Sequence, residues 1–476
     1  MSDALKTDLY QLKMMYGYFK KGMANKRACF EMFFRRCPFG NGYAVFAGLD
    51  EIVKYLCNLR FEDRQIDYLK QLKIFDDDFL DFLRHYRFDC DVDAVPEGTI
   101  VFPNETLVRV MGPIISAQFV ETRILELINY PTTVATKAAR IRLAAGDDFL
   151  MEFGRRRAPS DAADIASRAA IIGGFNATSN VEAGFKYGLP VAGTQAHSWV
   201  QAFPSELEAF RAYADVFPDD CSLIVDTYGV LKSGVPNLII VTKEQGKKGK
   251  TVESGRIDSG DLAYLSKEAR KMLDEAGLHC IGIIGSNDLD EYLIRSLKQQ
   301  EAKIRRWGVG TKVVVPDDTL GGVYKLVAIE ENGKWISKIK ISDNPEKMIT
   351  PGLKKVYRIE DKDKFIADVM MLEDEEEPKK GAELIIRHPV HCYQKDKFLV
   401  SDGCFVAPLL QTISRNGHSN WVSESVPKIA ERCREGLVKL HEGHKRFENP
   451  HIYRVALSDK LYRLKMRMIK KTFKDK

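Results

Sequence analysis

The chain has 476 residues but no C-x-x-C pair, no long apolar run and almost no excess charge of either sign. Each absence excludes a class of protein. Nine cysteines are scattered and odd in number, so no disulfide framework organises the fold. Unpaired thiols suit a reducing compartment, and a cytoplasmic location is expected. No apolar stretch approaches the ~18 residues of a membrane span. The N-terminal MSDALKTDLYQLK carries acidic and polar residues where a secretory leader needs an apolar core. Net charge is only +5, the remainder of 72 Lys+Arg against 67 Asp+Glu. That balance leaves no broad footprint for nucleic acid or a membrane surface.

What is present is ordinary globular protein. At 45% hydrophobic and 29% charged residues, disorder and collagen-like structure are excluded. The length implies two to four domains, by a prior of about 100–200 residues each. Three regions are expected. Residues 1–115 mix helical patterns with short strands, 116–335 alternate strands with helices, and 336–476 are more charged, with an acidic loop from Glu373 to Glu377. No repeat recurs at a fixed period.

The middle region carries the chemistry. Short apolar runs each end in a polar or glycine-rich turn: FLMEF–GRRR (149–157), VAGTQAHS (191–198), SLIVDTYG (222–229), VESGRIDSGD (252–261), CIGIIGSND (280–288) and IRRWGVGT (304–311). After Ser259, Leu262, Leu265, Ala269 and Leu273 form one apolar helical stripe. Ser259 and Ser286 are candidate caps for the helices behind them. Alternating strands and helices imply parallel β/α units. A (β/α) barrel gathers their polar turns on one face, and an open sheet gathers them along a crevice.

Each turn has a chemical reading beside a bland one. In W-G-V-G-T the glycines let backbone N–H groups approach an anion, and Thr311 adds a hydroxyl; Gly285-Ser286-Asn287 is the neighbouring half. R-I-D-S-G-D sets Arg256, Asp258 and Asp261 in one turn, where carboxylates accept from ribose hydroxyls or hold Mg²⁺, and Arg256 offers a planar fork. The alternative is a solvated helix start. Three adjacent arginines, Arg155 to Arg157, repel one another and so suit an anionic partner; Lys137 and Arg140 are expected to extend that positive surface. His197 is the one histidine within a strand-end turn of this series, placed to act as base, acid or nucleophile, with Asp226 as the carboxylate that orients it. The other histidines read as surface or packing residues. His388, His391, Cys392 and Cys404 lie close in sequence, but their spacing fits no standard zinc pattern.

Taken together, the motifs TDLYQL (7–12), FFRRCPFG (33–40), EFGRRRAP (152–159), GGFNATSNV (173–181), GTQAHS (193–198), DTYGVLKSG (226–234), RIDSGDL (256–262), SND (286–288), GVGT (308–311) and GGVYKLV (321–327) closely resemble those of the nicotinate phosphoribosyltransferase family. The resemblance spans nearly the whole chain. It implies a type II phosphoribosyltransferase fold: an α/β chain with an N-terminal α/β domain (1–115), an irregular α/β barrel carrying the active site (116–335) and a C-terminal region packing on both (336–476). A homodimer with shared sites is implied as well.

The implied reaction joins nicotinate to phosphoribosyl pyrophosphate, coupled to ATP hydrolysis and dependent on Mg²⁺, as the entry step of NAD salvage from nicotinate. By resemblance, His197 is the phosphorylated histidine, with Asp226 and Asp258 as catalytic partners. Tyr10, from the neighbouring subunit, and Phe153 sandwich nicotinate; Thr194, Arg256 and Ser179 contact it. Arg140, Arg155, Arg156, Ser259, Gly260, Asn287, Gly308, Gly310 and Thr311 are matched to ribose, pyrophosphate and phosphate, and Asp258 with Asp261 to the metal. Ser179 stands where nicotinamide-using relatives carry an aspartate, which would repel a carboxylate. Two basic segments stand outside these motifs. Residues 458–476 read as an amphipathic helix docked on its own protein, with a membrane-surface or calmodulin-target helix as the alternative. Lys247, Lys248 and Lys250 read as an exposed turn, with a lid over phosphates as the alternative.

Overall fold

The computed structural model describes residues 2–342, 344, 347–390 and 395–474. They pack as two compact units that are not consecutive in sequence: residues 1–133 with 318–424 and 431–476, and residues 134–317 with 425–430.

The first unit is built on two six-stranded sheets. One is antiparallel throughout, with Arg27–Phe34 paired between Gly322–Glu331 and Val108–Pro113. The other centres on Lys364–Leu372, which pairs antiparallel with Lys354–Asp361 and parallel with Val455–Ser458. Tyr357, Ile359, Val369 and Ile386 form an apolar cluster on that second sheet. The C-terminal helix Asp459–Lys474 buries Leu461 completely, and even Lys465 is buried, its Nζ donating to the Pro389 carbonyl at 2.8 Å. The helix is therefore docked on its own unit, as its apolar stripe implies.

The second unit holds a six-stranded, all-parallel sheet. Across it run Ala177–Thr178, Phe149–Glu152, Arg306–Val309, Gly282–Ser286, Ser254–Ile257 and Ser222–Ile224. Neighbours in space are neighbours in sequence, and the first and last strands, Phe149–Glu152 and Arg306–Val309, also pair. The order is thus a ring cut once, between Ala177–Thr178 and Ser222–Ile224, which makes the unit an irregular α/β barrel with one unpaired seam. Ser222–Ile224 is fully buried and Gly282–Ser286 nearly so, which is why these strands read as continuous apolar runs rather than alternating ones.

One expected strand does not form. Val191 makes only a single parallel bridge to Thr178, because Gly188, Pro190 and Gly193 crowd the segment and leave Val191 half exposed. The second ring strand is Ala177–Thr178 instead. The helix caps differ as well. Asp261, not Ser259, caps Leu262–Glu275 by accepting from the Tyr264 N–H at 3.0 Å, and Asp290, not Ser286, caps Glu291–Gln299. A carboxylate satisfies the orphan N–H groups and favours the positive end of the helix dipole.

Candidate functional site

Parallel strands all point one way, so residues following 152, 178, 224, 257, 286 and 309 collect at one end of the sheet. Phe153, Arg156, Arg157, Arg256, Asp258, Ser286, Asn287, Asp288, Gly308, Gly310 and Thr311 line one cavity there. Of the residues matched to sugar and phosphate, the cavity brings together Arg156, Asn287, Gly308, Gly310 and Thr311.

The floor is a guanidinium held in a plane. Arg256 donates from Nε to Ser286 Oγ, from Nη1 to Thr194 Oγ1 and from Nη2 to Asp258 Oδ1, each at 2.9 Å. Ser286 Oγ in turn donates to Asp258 Oδ1 at 2.5 Å. A guanidinium has five N–H groups, so two remain for a ligand in a fixed fork. The Arg256 guanidinium also lies 5.4 Å from the centre of the Phe153 ring, a cation–π contact. Gly308 makes room for that ring: a Cβ there would sit 2.6 Å from two of its carbons. Asn287 and Asp288 follow with φ of 94° and 42°, two successive non-glycine residues in the left-handed region. Strain of this kind persists where surrounding structure over-determines it, and here it borders the cavity.

Beneath the arginine turn lies Glu152, fully buried. It accepts from the Gly154 N–H, from Ser167 Oγ at 2.8 Å and from Thr178 Oγ1 at 2.6 Å. One carboxylate thereby fixes both the Arg155–Arg157 turn and the start of the 178–180 segment. In that segment Asn180 is also turned inward, donating to Asp164 Oδ1 at 2.9 Å and capping Val181–Tyr187. Ser179 between them is only half buried.

His197 opens the short helix His197–Gln201. Its Nδ1 lies 3.1 Å from Thr227 Oγ1, and its Nε2 is 3.9 Å from Asp226 Oδ1 and 4.0 Å from Asp258 Oδ2. Asp226 was expected to orient the ring directly. It instead spends Oδ2 on the Asp258 N–H at 2.9 Å and on Ser259 Oγ at 2.6 Å. Its Oδ1 is buried and, among the described residues, unpartnered. Both polar ends of the buried Gln195 side chain are in the same condition. Buried groups of this kind call for an absent partner such as water, an ion or a ligand.

Several expected residues lie elsewhere. Arg140 does not extend a positive surface: it is fully buried, with Nε 2.7 Å from Glu291 Oε1 and Nη2 donating to the Tyr292 hydroxyl at 2.9 Å. Lys137 Nζ joins the same carboxylate at 2.7 Å. An arginine on an apolar helix face next to a basic loop gave no sign of that internal partner. Asp261, expected beside Asp258 as a metal ligand, faces its own helix as a cap. Arg155, Ser259 and Gly260 flank the cavity in sequence but do not line it. Tyr10 sits half exposed on Leu9–Lys20 in the first unit. His391 and Cys392 lie outside the described residues, and among those described no three His, Cys, Asp or Glu groups are arranged to hold a metal.

Sequence reasoning missed Thr227, Glu152, Asp288 and the true role of Ser286. Each of the four stands within one of the motifs quoted above, and Thr227 also places a hydroxyl next to a candidate carboxylate.

Comparison with known proteins agrees along the chain. Residues 5–129 match a family model described as the nicotinate phosphoribosyltransferase N-terminal domain, 149–367 the family model itself, and 353–465 its C-terminal domain. A nicotinate phosphoribosyltransferase of Bacillus subtilis is 46% identical over 471 residues, covering 98% of this chain and 95% of the relative. The human protein of that name is 35% identical, with 97% and 95% covered. The crystal structure of human nicotinic acid phosphoribosyltransferase superposes with a TM-score of 0.86 at 32% identity, covering 97% and 99%.

Proposed function

The chain belongs to the nicotinate phosphoribosyltransferase family, and from that premise we propose that it joins nicotinate to phosphoribosyl pyrophosphate. The products are nicotinate mononucleotide and pyrophosphate, and the place in metabolism is NAD salvage. One observation carries the reading furthest: the Arg256 fork, stacked on Phe153, opens into the cavity that holds Arg156, Arg157, Gly308, Gly310 and Thr311. A flat anionic ring and a phosphorylated sugar need this pair of neighbours.

Nicotinate lies against Phe153 with its carboxylate toward the two uncommitted N–H groups of Arg256 and the Ser179 hydroxyl. The inward commitments of Thr178 and Asn180 support Ser179, rather than either neighbour, as the residue facing the base. Its hydroxyl donates to a carboxylate, whereas an aspartate there would repel it. The sugar phosphate and departing pyrophosphate are held by Arg156, Arg157 and the N–H groups of the Gly308–Thr311 turn, with Asn287 and Asp258 at the ribose. Bond breaking at the anomeric carbon builds positive charge on the ribose, which the fixed Asp258 carboxylate offsets; positioning and electrostatics carry the rate. The ring nitrogen attacks with its own lone pair, so no general base is required.

The donor set fits Mg²⁺, which binds through one or two carboxylates plus substrate phosphates. Asp258 Oδ2 and Asp288 are the carboxylates that would hold it. When bound, the ion supplies positive charge to the leaving pyrophosphate.

ATP coupling runs through His197 as phosphoryl acceptor, with the unpartnered Asp226 Oδ1 ready for the imidazolium charge. Tyr10 covers the second face of nicotinate from a partner subunit in a homodimer, and the enzyme works in the cytoplasm. Assays with nicotinate or nicotinamide, omitting phosphoribosyl pyrophosphate and then ATP, test the reading. Nicotinate mononucleotide is expected only with nicotinate and the sugar donor present, and faster with ATP. A higher rate with nicotinamide would overturn the base assignment.

A further inference from the structure

The His197 ring has a reason to be held that packing does not supply. Its side chain is 41% exposed, so hydrogen bonds rather than neighbours must set its orientation. One two-residue turn after Ser222–Ile224 faces both ring nitrogens: Thr227 Oγ1 lies 3.1 Å from Nδ1, and Asp226 Oδ1 lies 3.9 Å from Nε2. Asp258 Oδ2 faces Nε2 too, at 4.0 Å. In neutral imidazole one nitrogen carries the proton and the other a lone pair. Asp226 Oδ1, with no other partner among the described residues, favours the proton on Nε2, and Asp258 adds to this when its Oδ2 holds no ion. Nδ1 is then bare, and the Thr227 hydroxyl, able to donate or accept, donates to it.

We propose that Thr227 is a positioning residue for His197, fixing the imidazole with its proton on Nε2 and its lone pair on Nδ1. The proposal rests on the reading of His197 as acceptor of the γ-phosphoryl group of ATP. In that step the Nδ1 lone pair forms a bond to the γ-phosphorus. The bond from phosphorus to the bridging β–γ oxygen breaks, and ADP leaves with that electron pair. The ring keeps its Nε2 proton and becomes cationic, facing Asp226 Oδ1, the buried oxygen with no other partner among the described residues. The Thr227 hydroxyl leaves Nδ1 by rotation about a single bond, so the contact that orders the resting ring does not block transfer. Thr227 touches no substrate in this account; it acts through His197.

The test uses the full-length protein with γ-labelled ATP. The initial rate of acid-labile labelling is compared in wild type, Thr227→Val and Thr227→Ser. Losing one hydrogen bond to a half-exposed ring should slow labelling about 5- to 10-fold. Half-saturation by ATP should stay within about twofold, since binding contacts are unchanged, and the serine variant should recover most of the rate. Nitrogen NMR of ¹⁵N-histidine protein, with His197→Ala to assign the signal, should show the Nε2–H form in wild type and a mixture in Thr227→Val. Equal labelling in the valine variant, or a serine variant as slow as the valine one, would overturn the proposal. Absence of label in wild type would instead sink the phosphohistidine reading, while the tautomer spectrum still decides the role of Thr227. Should Thr227→Val fail to fold, Thr227→Ala takes its place.

Discussion

Gly308→Ala separates two reasons for a glycine in the cavity. By family resemblance Gly308 contacts sugar and phosphate through its backbone, and an added methyl group would then weaken phosphoribosyl pyrophosphate most. The structure supplies another reason. The new Cβ would meet two ring carbons of Phe153 at 2.6 Å, about an ångström inside ordinary carbon–carbon contact. The ring must move, and with it go the surface proposed to stack the base and the cation–π contact to Arg256, which lies 5.4 Å from the ring centre. Stacking is worth about 0.5–1.5 kcal/mol, and a partly desolvated cation–π contact about 0.5–2 kcal/mol. Only the stacking is gained on binding, so its loss costs about 0.5–1.5 kcal/mol, or roughly 2- to 13-fold in affinity. The cation–π contact is present before nicotinate binds, and its loss counts against stability instead. Steady-state titration of each substrate at saturating levels of the other is the assay. KM for nicotinate should rise by that factor, and KM for phosphoribosyl pyrophosphate by less. The reasoning is refuted if the sugar donor suffers more, or if nicotinate is unaffected in a folded variant.

Other consequences follow from buried groups. Arg140→Ala should lower stability by about 3–5 kcal/mol, the usual cost of breaking a buried ion pair, while both KM values stay within about twofold; chemical denaturation and kinetics on one preparation check this. The Asp148 carboxyl is pushed up by burial but pulled further down by donation from Trp307 and Lys298, so it sits below the usual carboxylate range. Its stabilisation is present above the unfolded-state pKa and is lost as pH falls through the folded value. Trp307→Phe removes one of these donors, so the variant should be less stable at neutral pH yet lose less on acidification, as urea midpoints across pH would show. Burial, with help from Asp220, pushes the Cys221 thiol up to about 12. Cys57 and Cys280 are the exposed thiols among the described residues. Alkylation of native protein at pH 8, read by peptide mass spectrometry, should mark these two and spare Cys221, Cys29 and Cys433.

Parallel β/α units were legible because strand-end turns repeat along the chain, and periodicity is local; their closure into a barrel came only with the family resemblance. The seam was not legible: Val191 bridges only to Thr178, and whether that segment extends into a strand depends on its finding a ladder partner. Likewise, pairing of Ala28 with Ile329 and of Ala94 with Gln411 leaves no mark in nearby sequence, so the way the C-terminal third rejoins the first could not be read from composition. Motif residues reached the cavity where the turn itself aims them, as with Arg156, Arg256, Asp258, Gly308 and Thr311. They missed where a side chain had a better nearby use. Asp261 satisfies helix N–H groups, and Arg140 finds Glu291 across a buried face. Second partners such as Ser286 and Glu152 are invisible in one sequence because a serine or glutamate on a strand looks the same whether it packs, caps or bridges.

In the function proposed, labour is divided between a cavity that transfers the sugar and a histidine that couples ATP to that transfer. The most direct test is the initial rate of nicotinate mononucleotide formation by His197→Ala, measured with and without ATP beside wild type. The predicted result is slow formation that ATP does not change, against clear stimulation in wild type. ATP stimulation retained in the variant would contradict the division.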